Sequence, residues 1–420
     1  MKKLFTLMTV ATLIVSCQVE EINEEAIESE NVSIDTNKNK SPKYGSFNNE
    51  IVIQYDTSLS ELQKQEMRAL NNVTSFKKCE CADPTLELWE FEIDKNGYIP
   101  EGIHIEEVVL GNKDNSGLEG IEFNNLIEHT AQKLGVAFGA ADVSIGLTKQ
   151  VASNNELTIA ILDTGIDYNY FGFTQPFLFN TTVSGTSCND NGYEDYIGWD
   201  FVNQDNDPFD DFGHGTVISS LIYEKLMDEN INFQILPVKV FDQSGKGNYF
   251  DILCGFKYAL NNPEVDMINM SFGWYNNSNT EILDRFMEES QEKVLLTTSA
   301  GNVNQNNDEI PHFPSSYPVN NLMSVASLNT NPLDVGLAHF SNFGPNSVDI
   351  AALGQDVPFQ IALGEYLLVN GTSYSSAYTA AYAGTLFDIE NTPQKWISNI
   401  LESATHNSNL SMLKYQSYID

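Results

Sequence analysis

The chain has 420 residues, with 58 acidic against 21 basic side chains and a formal net charge of −37. A field of that sign argues against nucleic acid as a partner and fits solubility in an extracytoplasmic setting. The apolar share of 41% suits a globular protein, and the length leaves room for one large domain with smaller pieces.

In chain order, Met1-Lys2-Lys3 precedes an apolar run from Leu4 to Val15, and Ser16-Cys17 follows. A basic start with a short apolar core is the pattern of an export signal, too short to remain as a membrane span. Ile14-Val15-Ser16-Cys17 resembles a bacterial lipobox, in which cleavage leaves the cysteine as the lipid-modified first residue. The other reading is an ordinary signal peptide with an incidental cysteine. The small Ser16 and the polar spacer favour the lipoprotein, so residues 1–16 are read as the signal peptide and Cys17 as the acylated residue. Residues 17–48 are rich in Glu, Asn, Ser and Lys and nearly lack aromatics, which predicts a disordered acidic tether. Repulsion among Glu20, Glu21, Glu24, Glu25, Glu28 and Glu30 would extend it.

Residues 49–127 read as a small α+β module. Ile51–Tyr55 is a strand, and Ser58 with Glu61 forms a capping box for a helix running to about Leu70. Leu86–Ile93, with Trp89 and Phe91, is a second strand and Ile121–Phe123 a short third. Over residues 132–415 apolar strands alternate with helices: Thr158–Leu162, a helix at His214, Ile235–Phe241, a helix over Ile252–Leu260, Val265–Met270, a helix over Ile282–Glu289, Val294–Thr298 and Leu322–Ala326. Such alternation predicts an α/β fold, a parallel sheet with helices on both faces. Thr392-Pro393 opens a last helix, with Trp396, Ile397, Ile400 and Leu401 on one face, and a short polar tail without a sorting domain is expected after it. Of the other cysteines, Cys79, Cys81 and Cys188 have no pairing fixed by spacing, and Cys254, among Ile252, Leu253 and Phe256, reads as a core residue.

Four glycine-flanked turns carry the chemistry. Ile159-Ala160-Ile161-Leu162-Asp163-Thr164-Gly165 is an apolar strand ending in a carboxylate; Gly213-His214-Gly215-Thr216 opens a helix. Asn370-Gly371-Thr372-Ser373 opens another, and Val294-Leu295-Leu296 leads into Ser299-Ala300-Gly301-Asn302. Singly, Ser373 reads as a cap or turn residue, Asp163 as a turn or capping carboxylate and His214 as a core histidine. Together the four turns supply an alcohol, an imidazole base, an orienting acid and an amide donor.

The order Asp163…His214…Ser373 with Asn302 resembles the subtilisin-like serine peptidases (subtilases). The likeness extends over roughly residues 135–405, through Leu236–Asp242 with Gly245 and Gly247, Asp266–Gly273, His339–Gly344 and Val348–Gly354. The chain departs from the family at Tyr374, Ala377, Leu353 and Val217, none of them a nucleophile, base, acid or oxyanion donor. The resemblance implies a subtilisin-like sheet and an endopeptidase with Asp163, His214 and Ser373 catalytic, Asn302 at the oxyanion, and Ser271, Phe272, Gly273, Ala300 and Gly301 binding substrate. The 49–127 module resembles the ferredoxin-like propeptides that fold with such enzymes and occupy the cleft, with a self-cleavage between about Glu122 and Val151. Asp200, Asn203, Asp205 and Asp207 resemble a calcium loop, and read equally well as a solvated acidic loop; the chemistry itself needs no cofactor. The implied partners are protein or peptide substrates and the chain's own propeptide, with a membrane reached through the lipid and the protein a monomer. The implied location is the envelope of a bacterial cell, or the medium after maturation.

Overall fold

Residues Leu157–Asp163 alternate between two apolar surfaces: Ile159 and Ile161 belong to one core cluster, Ala160 and Leu162 to another. A strand that is apolar on both faces must be covered on both, and this requirement organises the molecule. The computed structural model describes residues 46–79, 82–92, 117–129, 133, 157–179, 189–190, 193–195, 197–275 and 281–419. The expected signal peptide, Cys17, the tether up to residue 45, Cys81 and Cys188 lie outside the described residues. No helix among the described residues is long and apolar enough to cross a membrane.

The strands are β1 (Ser46–Tyr55), β2 (Ser75–Lys78), β3 (Leu86–Glu90), β4 (Leu118–Glu128), β5 (Leu157–Asp163), the two-residue pair β6 (Asn189–Asp190) and β7 (Tyr193–Glu194), β8 (Trp199–Asp200), and β9 (Phe233–Lys239). After these come β10 (Lys246–Asn248), β11 (Met267–Met270), β12 (Leu295–Ser299), β13 (Leu322–Leu328), β14 (Ile350–Leu353), the hairpin β15 (Val357–Ala362) and β16 (Glu365–Val369), β17 (Thr405–His406) and β18 (Ser417–Tyr418). The helices are α1 (Glu61–Leu70), α2 (His214–Asp228), α3 (Tyr249–Asn261), α4 (Glu281–Ser290), α5 (Thr372–Thr385) and α6 (Pro393–Ser403).

The large sheet has the order β17-β18-β14-β13-β12-β11-β5-β9-β8 and is parallel except at β17. One face carries α3 and α4, through residues such as Phe256, Leu283 and Phe286. The opposite face carries α2, α5 and α6, through residues such as Ile218, Ala380 and Trp396. The chain leaves β5 for β9 on one side and later returns to β11 on the other. The reversal opens a crevice at the carboxyl ends of β5 and β11, where ligands of open α/β sheets bind.

The five-stranded sheet β10-β4-β1-β3-β2 is antiparallel and packs with α1 around Ile51, Ile53, Tyr55, Trp89 and Phe91. Several local expectations are corrected here. The helix cap is Ser60 with Gln63, because Ser58 instead gives its N–H to Asp56. Ser46–Phe47–Asn48, assigned to the tether, begin β1, and the expected third strand runs the whole length of β4. The segment after α6 is no loose tail: β18 joins β14, and Leu410, Leu413 and Ile419 are buried. Cys254 is buried in the core, as its neighbours suggested, and the pairing that spacing left open is a disulfide with Cys79, joining α3 to the end of β2.

Candidate active site

Asp163 ends β5 and is fully buried, as is the His214 side chain at the first position of α2. His214 Nδ1 lies 2.8 Å from Asp163 Oδ1 and 3.0 Å from Oδ2. Burial alone would raise the Asp163 carboxyl; the charge of His214 and its hydrogen bond outweigh that and hold it below the ordinary range. An anion so placed fixes the Nδ1–H tautomer and leaves Nε2 as the basic atom on the far side of the ring. Nε2 is buried and makes no hydrogen bond.

A second acid, which sequence reasoning missed, ties this pair together. Asp210 Oδ1 accepts from Thr164 Oγ1 (2.8 Å), Phe212 N (3.0 Å) and Gly213 N (2.7 Å), and Oδ2 accepts from Thr216 N (2.8 Å) and Oγ1 (2.6 Å). The N-cap position of α2 is Gly213, which has no side chain to offer, so Asp210 caps the helix and binds it to the Asp163 turn. Burial pushes its carboxyl up in spite of these donors. From beneath, the buried Lys239 ammonium donates to Thr164 O and Asp211 Oδ1, each at 2.8 Å.

Ser373 is the second residue of α5, where backbone N–H groups have no intrahelical acceptor. Its hydroxyl donates to Ser271 O at 2.9 Å, and Ser271 Oγ donates back to Ser373 O at 3.0 Å. Asn269 supports both sides: Nδ2 donates to Ser271 Oγ, and Oδ1 accepts from Thr297 Oγ1 and Ser376 Oγ. Asn302 Oδ1 accepts from Thr372 N (2.8 Å) and Oγ1 (2.9 Å), so the carbonyl end of the amide is fixed beside Ser373. The Tyr374 ring lies 5.7 Å from that of His214, and burial raises its phenol.

Of the expected substrate residues, Ser271, Phe272 and Gly273 follow the end of β11, next to Ser373. Ala300 and Gly301 are pinned internally, their N–H groups bonded to Val325 O and Thr372 Oγ1. Gly301 has φ +108°, and a Cβ there would stand 2.5 Å from Asn342 Nδ2, so the turn before Asn302 requires glycine.

The calcium reading does not fit its loop. Asp200 accepts from Val202 N, Asn203 N and Asn203 Nδ2, Asp205 from Asp207 N, and Asp207 from the Tyr168 hydroxyl. Asn203 thus turns its NH2 toward Asp200, and burial raises the Asp200 carboxyl to about 6. Among the described residues the one trio of His, Cys, Asp or Glu whose ligating atoms all lie within 4.8 Å of one another is His129, Asp163 and His214. Calcium takes six to eight converging oxygens; the carboxylates of Asp200, Asp205 and Asp207 do not converge to that degree, and the trio offers two imidazoles.

His129 is the other residue missed. β4 continues antiparallel onto β10, with Leu126, Ile127 and Glu128 opposite Asn248, Gly247 and Lys246. The next residue donates its N–H to Gly245 O at 2.7 Å. Its ring lies with its centroid 3.9 Å from that of His214, and Nε2 is 4.0 Å from Asp163 Oδ1. Burial, then the charge of His214, lower the His129 imidazole to about 3, against the pull of Asp163. No motif marks His129; the only signal was the suggestion that the strand before the large domain lies in the cleft.

The profile of the subtilase family matches residues 154–412, and the chain belongs to that family. It is 31% identical over 241 residues to the cell wall-associated protease of Bacillus subtilis (strain 168), covering 56% of this chain and 24% of that protein. It is 29% identical over 235 residues to the thermophilic serine proteinase of Bacillus sp. (strain AK1), covering 54% of this chain and 51% of the relative. The chain therefore spans a quarter and a half of these relatives' lengths. A cold-adapted subtilisin-like serine proteinase of known structure superposes with a TM-score of 0.49 at 23% identity, over 64% of this chain and 91% of that one.

Proposed function

We propose that the chain is a serine endopeptidase. The supporting observation is the buried Asp163–His214 pair, with the imidazole held by both carboxylate oxygens and its Nε2 left for a proton. Ser373 turns from Ser271 O toward Nε2 and attacks the scissile carbonyl as His214 takes its proton. His214 then gives that proton to the leaving amine, while Asp163 stabilises the imidazolium and stays ionised. The oxyanion is met by the Asn302 amide and the Ser373 N–H at the start of α5. Protein or peptide substrates lie extended between β10 and Ser271–Gly273, as an added strand.

The deciding experiment is labelling with a serine-directed fluorophosphonate, followed by peptide turnover. Wild type should label and cleave; Ser373→Ala should do neither while its melting curve stays cooperative. Retained turnover in Ser373→Ala would sink the assignment.

The same reading makes residues 49–127 a propeptide, cut by the enzyme between about Glu122 and Val151, and the 132–415 segment the peptidase domain. What supports it is the course of β4, which leads His129 to His214. Upstream, Cys17 is the proposed acylation site of an exported, envelope-anchored lipoprotein. Cys17→Ser should move the protein from the membrane to the soluble fraction; an unmodified mature N-terminus on membrane-bound protein would contradict this.

A further inference from the structure

His129 fills a closed space. Around its ring stand His214 at 3.9 Å, Phe241 edge-on at 5.3 Å and Phe212 at 6.1 Å between centroids, and the side chain is 1% exposed. Gly245 forms the mouth: its φ is +73°, and a Cβ there would come within 2.8 Å of the Phe212 ring and 3.2 Å of the His129 Cβ. Phe241 is itself backed by Phe272 at 4.9 Å. The strand leading in is held by main-chain pairing with β10, which any sequence can make, so side-chain choice rests on such enclosed positions.

We propose that Phe212, Phe241 and the face of His214 form a pocket that selects a flat, uncharged ring, imidazole or benzenoid, on the substrate residue lying where His129 lies. His129 is the chain's own occupant. A ring meets three aromatic walls; an alanine would leave them without contacts, and a carboxylate would be buried beside the like charge of Asp163. This deepens the peptidase reading and rests on it.

The test has two arms. In the first, the mature enzyme is given peptides built on residues 126–131, Leu-Ile-Glu-X-Thr-Ala, with X as His, Phe, Leu, Ala or Asp. His and Phe should exceed Ala and Asp by roughly 10–100-fold in kcat/KM, and Phe212→Ala should flatten the series. In the second, amide exchange at Lys246–Asn248 is followed in the full-length Ser373→Ala chain, which needs no catalysis. His129→Phe should keep those amides protected, and His129→Asp should speed their exchange about tenfold or more. Turnover without ring preference, or equal exchange in the Phe and Asp variants, overturns the pocket. Absent turnover of every peptide with ring-dependent exchange sinks the peptidase reading and supports the pocket.

A different observation carries a second proposal. The Cys79–Cys254 disulfide joins two buried residues, 175 apart in sequence, across the boundary between the small antiparallel sheet and the large parallel one. We infer that it outlasts maturation, so a backbone cut between residues 122 and 151 leaves the leader, with any anchor upstream, covalently joined to the enzyme. A site for an unrelated protease inserted between Ala140 and Ala141 tests this without relying on self-cleavage. After cutting and denaturation, the protein should run as one band without reductant and as two with excess dithiol, while Cys79→Ser should give two bands in both. Two bands without reductant from the parent protein overturn the inference.

Discussion

The two sides of the cleft are prepared to different degrees. On the base side every carboxylate oxygen is spoken for: Asp163 holds His214 with both, and Asp210 gathers five donors from the two turns that carry the pair. On the nucleophile side the Ser373 hydroxyl is bonded to a main-chain carbonyl, and His214 Nε2 has no hydrogen bond. Asp163 and His214 are thus assembled with His129, at the end of β4, lying against them; in the proposed mechanism the step that remains is a rotation of one small side chain. Electrostatic parts that are costly to reorganise are built in, and the inexpensive part is left to move.

That contrast can be attacked in order of expected effect. If the rigid side matters through its tautomer and charge, Asp163→Asn should lower kcat about 10⁴-fold with geometry intact, since an amide cannot favour the imidazolium. Steady-state kinetics beside a melting curve would check it; a loss below tenfold would show that the base side is scaffolding. On the other side, Asn302→Ala should lower kcat by roughly 100–1000-fold with little change in KM, because the oxyanion exists only after attack. An equal rise in KM would instead place Asn302 in ground-state binding.

The smallest effect concerns pH. His129 titrates near 3 when docked, chiefly through burial, against an ordinary 6.5 when released. A depressed base loses its docked advantage as pH falls, so leader docking should be full above about 6.5 and weaken toward 3, by roughly 30-fold at about pH 5. Glu122, buried against the N–H groups of Glu281 and Ile282 at the start of α4, is raised by burial and works in the opposite sense as pH falls. Exchange protection of Lys246–Asn248 in the Ser373→Ala chain measures the sum, and His129→Phe should remove the acid loss.

The site residues that could be read from sequence are those announced by their own neighbours. Asp163 and Asn302 each follow an apolar strand, and His214 and Ser373 each sit at the start of a helix, all beside a glycine, so local pattern and location at an element's end coincide. Asp210 lacked such a cue, because in Asp210-Asp211 nothing local says which acid turns inward to cap α2 and which meets Lys239. His129 and the Cys79–Cys254 pair depend on contacts far apart in sequence, which periodicity does not carry. The Asp200 loop is the reverse case: its oxygen-rich spacing was real, but its carboxylates turn to separate donors and do not converge. The helix cap moved from Ser58 to Ser60 for a related reason, since Asp56 competes for the Ser58 N–H.

If the small antiparallel sheet is the proposed leader, its disulfide to α3 also changes how occupancy of the cleft depends on amount. A separate inhibitor is lost on dilution, because its grip is bimolecular. A leader held by Cys79 rebinds within one molecule, at an effective concentration on the order of millimolar however dilute the protein becomes. Its melting temperature, once the backbone is cut, should therefore not move with protein concentration, whereas that of the cut Cys79→Ser form should fall on dilution.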